Sequence, residues 1–423
     1  MDRVRLGLVG CGGMGRRHLA GYAELLRTGY CNVDLVAVCD LNERNAEELA
    51  EEARTLTGIR PRVFQSIATM TEAIDGLAGI DIATDVRTHH RVAIECFERG
   101  LHVQVEKPLG LTMRACNLIL RAARRTNRIL SVAENYRRDP LNRLIRCLID
   151  DGAIGDPHMM LEAGVGGTDQ MVITPWRHQK THGGITLDVG VHHADIMRYF
   201  LGEAESAVGT LRLLEPVRHR GSGGGPGGFY ARWNNEYPEM IQATAHDALW
   251  ATIRFQNGAV AQWTYNAAGR GLALRQRLIY GSAGSIAAPA DRTGRAIRLQ
   301  LSGQREISGD EVIKYAPSYR LSPVAAELFG SERPSSYHLS FPEIDRKLVA
   351  LEYHEFATCI AQEVEPEVGG VEGRRDVALV YAICESSQLN RFVSLDEVED
   401  VRVDGYQREI DADLGLIELP GLE

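Results

Sequence analysis

The residues able to do chemistry fall into a few short clusters. Val9-Gly10-Cys11-Gly12-Gly13-Met14-Gly15 is a G-x-G-x-x-G between an apolar run and a helical pattern. Gly10 permits a tight turn, Gly12 lets backbone approach a pyrophosphate, and Gly15 lets the helix pack close to the sheet. The helix start at Gly13 and Met14 then turns unpaired N–H groups and a partial positive charge toward phosphates. A second apolar run ends in Cys39-Asp40, where a carboxylate would take the two ribose hydroxyls. Loop and acid together point to a dinucleotide. Asp40 would repel a 2′-phosphate, so NAD is favoured over NADP, with Arg44 one helical turn on able to soften that preference. Two further clusters are Val105-Glu106-Lys107-Pro108 and the run from His182 to Asp195, which holds Asp188, His192 and His193. If that run is helical, Asp188 and His192 share one face at i,i+4. His178 and His182 are also four apart, but Gly183 and Gly184 oppose a helical pair and no H-E-x-x-H occurs, so no metal is expected.

The elements that must position these residues can be read from periodicity. Val4–Val9, Val33–Cys39, Ile80–Ala83, Val103–Val105 and Ile129–Val132 are short apolar runs. Helical patterns separate them at Gly13–Leu26, after Asn42 as a cap, around Arg91–Arg99 and at Met113–Arg125. Buried strands alternating with helices imply a parallel, doubly wound sheet. After about residue 150 the texture changes. Ala251–Phe255, Val260–Tyr265 and Leu274–Tyr280 alternate apolar and polar residues, and Asn257-Gly258 is a hairpin signal. Two helical stretches follow, Leu348–Gln362 and Val377–Asn390. The expected fold is α/β: an N-terminal Rossmann domain over 1–137, then an α+β domain over 138–395 with a large open, mostly antiparallel sheet. A glycine-rich loop is expected at 221–228, and a weakly structured acidic tail at 396–423.

Composition narrows the partners. Lys and Arg number 47 against 57 Asp and Glu, which argues against a nucleic-acid groove. The excess is largely terminal, since residues 396–423 hold 10 acidic and 2 basic residues. It therefore says little about a pocket, which Lys107, Arg177 and Lys180 would make locally positive. No apolar run is long enough to span a membrane and no secretory signal precedes the first strand, so a cytoplasmic protein is expected. The eight cysteines form no C-x-x-C pair and read as reduced, packed thiols.

The glycine loop, the Glu106-Lys107-Pro108 triplet and the GGxxxDxGxHxxD run from Gly183 to Asp195 together resemble the Gfo/Idh/MocA superfamily, from residue 3 to about 395. The resemblance implies a nicotinamide cofactor and a sugar, cyclitol or related substrate. It matches Lys107 to the family's catalytic lysine, and Asp188 and His192 to its D-x-x-x-H pair. Oxidation of a secondary alcohol needs a base for the hydroxyl proton and a donor for alkoxide character, which imidazole and ammonium can supply. Sequence does not decide which of Lys107 and His192 removes the proton. Thr84 and His89 match the family's T-P-N-x-x-H segment, although its Pro and Asn are replaced here by Asp85 and Val86. Glu106 and Asn135 are further cofactor candidates. Tyr136, Arg137, Trp176, Arg177, Lys180 and His193 are substrate candidates, a Trp face suiting a sugar ring and cations suiting hydroxyls, carboxylates or phosphates. The function implied is an NAD-dependent sugar or cyclitol dehydrogenase acting as a homodimer or homotetramer. The alternatives are an NAD-retaining glycoside-cleaving enzyme and a non-catalytic dinucleotide sensor.

Overall fold

A computed structural model describes residues 3–221 and 230–417. The chain forms two compact units, Met1–Asn135 with Pro342–Arg374, and Tyr136–Phe341 with Arg375–Glu423. The first holds a six-stranded parallel sheet in the order β3-β2-β1-β4-β5-β6. Its strands are β1 (Val4–Val9), β2 (Val33–Cys39), β3 (Arg62–Phe64), β4 (Gly79–Ile82), β5 (His102–Glu106) and β6 (Leu130–Ala133). Helices α1 (Gly13–Leu26), α2 (Glu43–Thr57), α3 (Ile67–Ala73), α4 (His89–Glu98) and α5 (Met113–Thr126) connect them. Strand order reverses beside β1, so the loops after β1 and β4 meet at the topological switch point, where ligands bind such sheets. The local punctuation follows the sequence: Asn42 caps α2 by accepting from the Arg44 amide, and Gly58 ends it in the left-handed region.

The second unit is built on a nine-stranded mixed sheet in the order β16-β15-β14-β13-β7-β12-β11-β8-β17. Its strands are β7 (Pro157–Val165), β8 (Ala204–Arg212), β11 (Ala248–Phe255), β12 (Val260–Asn266), β13 (Leu274–Gly281), β14 (Gly284–Ala288), β15 (Arg298–Leu301), β16 (Ile307–Ser308) and β17 (Val393–Ser394). A separate ribbon pairs β9 (Val217–His219) with β10 (Met240–Gln242). All neighbours in the large sheet are antiparallel except β7 and β12. Asn257 and Gly258 turn β11 into β12 as expected, Gly258 at φ +86°. Its helices are α6 (Pro140–Asp150), α7 (Gly184–Leu201), α8 (Pro323–Phe329) and most of α10 (Gly370–Leu389), while α9 (Phe341–Gln362) belongs with the first unit. Helix α7 lies on one sheet face, where a Cβ on Gly190 would stand 3.2 Å from Trp263 Cη2.

The structure departs from the expected organisation at three places. Residues 342–374 belong with the first unit, not with the second. Helix α9 fits there because Gly21 of α1 has no side chain: a Cβ would meet Val349 Cγ1 at 2.4 Å. The tail is not weakly structured over 395–417. It forms α11 (Leu395–Glu399), started by a Ser394/Glu397 capping box, and α12 (Arg408–Asp413). Val398, Tyr406, Ile410 and Leu414 are buried there, so apolar residues spaced among the acids anchor a segment that its charge disguised. Residues 222–228 of the expected glycine-rich loop lie outside the described residues.

Candidate active site

In the first unit the glycine loop has the geometry the sequence predicts. Gly10 sits at φ +98° and donates its amide to Cys39 O at 2.9 Å. A Cβ on Gly15 would stand 2.0 Å from Gly10 O, so only glycine permits that approach of helix to turn. A Cβ on Gly12 would meet nothing within 4 Å. Helix α1 therefore begins on an open side, with no acid in its first turn and with the amides of Gly13, Met14 and Gly15 ahead of the first intrahelical bond, Arg16 N to Gly12 O. This cradle fits a dinucleotide pyrophosphate. Asp40 accepts from the Cys11 amide (2.7 Å) through Oδ2 and from the Asn42 amide (2.8 Å) through Oδ1. One carboxylate thus ties the β1–α1 turn to the β2–α2 turn. Arg44 is ion-paired with Glu48 (2.8 Å). Cys11 is buried, and burial, with Asp40 beside it, pushes its thiol well up, which suits a packed thiol.

Lys107 follows directly on β5, at a cis Lys107-Pro108 bond. His89 bridges the two loops beside it: Nδ1 lies 3.0 Å from Pro108 O and Nε2 3.3 Å from Thr84 O. Burial lowers the His89 pKa, with these carbonyls opposing. Thr84 Oγ1 accepts from Thr88 (2.9 Å), and Asp85, standing where the family has Pro, caps a short turn over Val86–Thr88. His89 is 1% exposed, so it acts as a tie between loops. Asn135 Oδ1 is buried and has no hydrogen-bond partner among the described residues, which keeps Asn135 a cofactor candidate.

Behind Lys107 lies a cluster the sequence reading did not single out. His18 is fully buried, its Nδ1 2.6 Å from Asp81 and its Nε2 3.0 Å from Glu106. Asp81 also accepts from the Tyr353 hydroxyl (2.5 Å) and from Gln104 Nε2 (3.1 Å). Both ring nitrogens face carboxylates, which accept only, so the geometry calls for imidazolium. Burial opposes that charge, but Asp81 and Glu106 together hold the His18 pKa well above its usual value. Glu106 is kept low in turn, its burial outweighed by His18, Lys107 and Arg17. The signal for His18 was its place three residues after Gly15, facing the sheet on α1; Tyr353 arrives from α9 and has no local signal.

In the second unit, α7 carries Asp188 and His192 on one face, as the i,i+4 spacing predicts. Tyr136 stacks on His192 with ring centroids 4.1 Å apart and planes 3° apart. Arg177 donates to Asp188 (2.7 Å) and lies over the Trp176 ring at 4.3 Å. His193 faces the other way, 2.9 Å from Glu162 and 5.7 Å from the Trp263 ring. Arg277 binds both Glu162 (2.6 Å) and Asp291 (2.7 Å). Burial would raise Glu162, but Arg277 and His193 bring it to about 2. The candidate cations are therefore not the open positive lining expected. Arg137 is bidentate on Asp195, one bond at 3.0 Å; Arg177 is held by Asp188; Lys180 reaches Glu409 (2.9 Å) over the Tyr406 ring. Tail acids and α7 acids that lie apart in sequence neutralise them. His178 accepts from the Val172 amide (2.8 Å), and burial lowers it to about 4.

Comparison with known proteins places this geometry. Residues 4–134 match the profile of an oxidoreductase family with an NAD-binding Rossmann fold, and residues 142–287 match the Gfo/Idh/MocA C-terminal domain. The levoglucosan dehydrogenase of Pseudarthrobacter phenanthrenivorans is 28% identical over 94% of this chain and 100% of its own. The myo-inositol 2-dehydrogenase of Thermotoga maritima is 23% identical over 93% and 99%. Among solved structures, an NAD-binding oxidoreductase from Klebsiella pneumoniae superposes with a TM-score of 0.76 at 20% identity, covering 93% of this chain and 99% of that one. A levoglucosan dehydrogenase complexed with NADH and levoglucosan gives 0.72 at 23%, covering 93% and 100%. With both halves matched, and with the glycine loop, the Glu106-Lys107-Pro108 turn and the Asp188/His192 helix in place, the chain belongs to the Gfo/Idh/MocA oxidoreductase family.

Proposed function

We propose that this protein is an NAD-dependent dehydrogenase that oxidises a secondary hydroxyl of a sugar, glycoside or cyclitol, with Lys107, Asp188 and His192 as its catalytic residues. The observation that carries the reading is the joint presence of an open glycine loop tied to Asp40 and an α7 face presenting Asp188 and His192, in a chain of this family. NAD, when bound, supplies the hydride acceptor. Gly10, Gly12, Gly13, Met14 and Gly15 hold its phosphates, and Asp40 takes the adenosine ribose and disfavours a 2′-phosphate. Thr84, Glu106 and Asn135 line its nicotinamide half, with His89 fixing the loops. Lys107 and His192 divide two tasks, accepting the hydroxyl proton and donating a hydrogen bond to the developing alkoxide. Tyr136 keeps the His192 ring in one plane by stacking, and Asp188, anchored by Arg177, orients substrate. Trp176 offers a ring face to the sugar, while Arg137, Lys180 and His193 support the pocket through their carboxylate partners.

The same reading takes the enzyme as cytoplasmic and as a homodimer or homotetramer. Half-exposed Trp250 and Leu274 on the large sheet support an association. Among the described residues no helix is long and apolar enough to cross a membrane.

Incubation with NAD and a panel of sugars, glycosides and inositols tests the activity through NADH absorbance. Net NADH is expected; cleavage of a glycoside without net NADH would overturn the dehydrogenase reading. Lys107→Ala is expected to lower turnover by about two orders of magnitude or more while NAD affinity stays within a few-fold. Unchanged turnover would remove Lys107 from the site.

A further inference from the structure

Arg275 is an exposed cation on the second unit's sheet. It lies on β13 in register with Gly164 of β7, which is in turn in register with Tyr265 of β12. Cross-strand partners share a face, and residues two apart share it as well. The next row on that face is Arg277, Glu162 and Trp263, the row covered by His193 and Gly190 of α7. Arg275, Gly164 and Tyr265 therefore form the adjoining row on the side that α7 covers. Strands are ~4.8 Å apart, so the row spans roughly 10 Å, about the length of a substituted sugar.

Three observations single out this row. Arg275 has no hydrogen bond and no carboxylate within 4.0 Å among the described residues, whereas Arg177, Lys180, Arg218 and Arg277 each hold one. Exposed though it is, its guanidinium lies across the neighbouring strand: a Cβ on Gly164 would stand 2.7 Å from Arg275 Nη1 and 3.7 Å from Tyr265 Cδ2. The missing side chain at Gly164 is what admits it. The Tyr265 ring flanks Gly164 on the side away from Arg275. Burial raises its phenol, Arg275 pulls it down and Asp188 pushes it up, so the hydroxyl is within electrostatic reach of both. That hydroxyl has no hydrogen-bond partner among the described residues. An uncommitted guanidinium and an uncommitted phenol, one row from His193 and in reach of Asp188, are the donors an anionic oxygen group needs.

We propose that Arg275 and Tyr265 form an anion subsite, and that the substrate is a polyol bearing a carboxylate or a phosphate ester. The proposal rests on the dehydrogenase reading for its reaction, and on the β12–β7–β13 row alone for its binding. The oxidised hydroxyl lies toward Asp188 and His192, and the anion toward Arg275.

The test uses matched sets: glucose, glucuronate and glucose 6-phosphate; galactose, galacturonate and galactose 6-phosphate; and myo-inositol with its monophosphate. Turnover is followed as NADH, and binding to the NAD-loaded protein by calorimetry. At least one anionic member is expected to exceed its neutral parent about tenfold in kcat/KM, and the arm that does so separates carboxylate from phosphate. Arg275→Gln is expected to raise KM for that member ~10- to 100-fold, with kcat changed far less, erasing its advantage over the parent. The advantage should shrink with added salt. Preference for the neutral parents, or an equal loss for both in Arg275→Gln, would overturn the subsite. Anion binding that depends on Arg275 without any NADH would keep the subsite and sink the dehydrogenase reading. Failure of every anionic member to bind would sink the subsite whatever the neutral sugars do.

Discussion

Lys107 and His192 each stand next to a buried charged cluster, and the two clusters are charged by different chemistry. In the first unit, Asp81 and Glu106 share the imidazolium of His18, with Tyr353 donating to Asp81. In the second, Glu162 and Asp291 share the guanidinium of Arg277, with His193 against Glu162. Both leave two carboxylates around one cation in a dry interior. A guanidinium keeps its charge at every pH a protein survives; an imidazolium does not. The first unit has thus placed a titratable group where the second has a permanent one, and the two should fail on opposite sides of neutrality.

Removing the permanent cation is expected to have the largest effect. Arg277→Met leaves Glu162 and Asp291 buried without the guanidinium they share, a loss of about 3–5 kcal/mol. All four tryptophans, residues 176, 233, 250 and 263, lie in the second unit, so denaturant unfolding followed by their fluorescence reads that unit directly. A loss under about 1 kcal/mol would mean the cluster relaxes or admits water.

His18→Gln is expected to cost less stability, because an amide can donate to one carboxylate but cannot neutralise both. Turnover should fall roughly tenfold through the displaced Glu106-Lys107 turn. The more telling readout is pH. The raised pKa of His18 means its stabilisation is complete below about pH 6.5 and is lost as pH rises through the folded value. Glu162, lowered to about 2, stabilises fully above about pH 4.5, and its contribution is lost as pH falls toward 2. Hydrogen exchange should therefore show β4 and β5 loosening on the alkaline side, and β7 and β13 on the acid side. His18→Gln should abolish the alkaline loosening alone. If both sheets loosen together in wild type and variant, the comparison fails.

The smallest expected effect is on cofactor choice. Asp40→Ala should weaken NAD about tenfold and NADP less, read by fluorescence titration of each reduced cofactor. An unchanged ratio would end the assignment of Asp40 to the ribose.

What could be read from the sequence was what is local along it. The glycine loop and Asp40 lie within one strand–helix–strand unit that spacing marks out; Asp188 and His192 were named by the family resemblance, and their i,i+4 spacing predicts the shared face that α7 gives them. The charge state of the pocket was not local. Arg177 looked free until α7 brought Asp188 to it, and Lys180 until the tail brought Glu409. Tyr353 reaches Asp81, the partner of His18, only because a segment from 342–374 rejoins the first unit. Arg275 is aligned with Tyr265 by strand register, which no pattern within β13 specifies. The tail was misread because its many acids hid an apolar spacing that the fold uses.

The two hydrogen bonds that Asp40 accepts from the amides of Cys11 and Asn42 bear on redesign. A change of cofactor is usually sought by replacing such an acid with a small or basic residue. Here the same carboxylate holds two turns in register, one of them starting α2. Replacing it would untie the loop that must also grip the pyrophosphate. An NADP-using version of this enzyme therefore calls for two coordinated edits, one to admit the extra phosphate and another to re-anchor the turn.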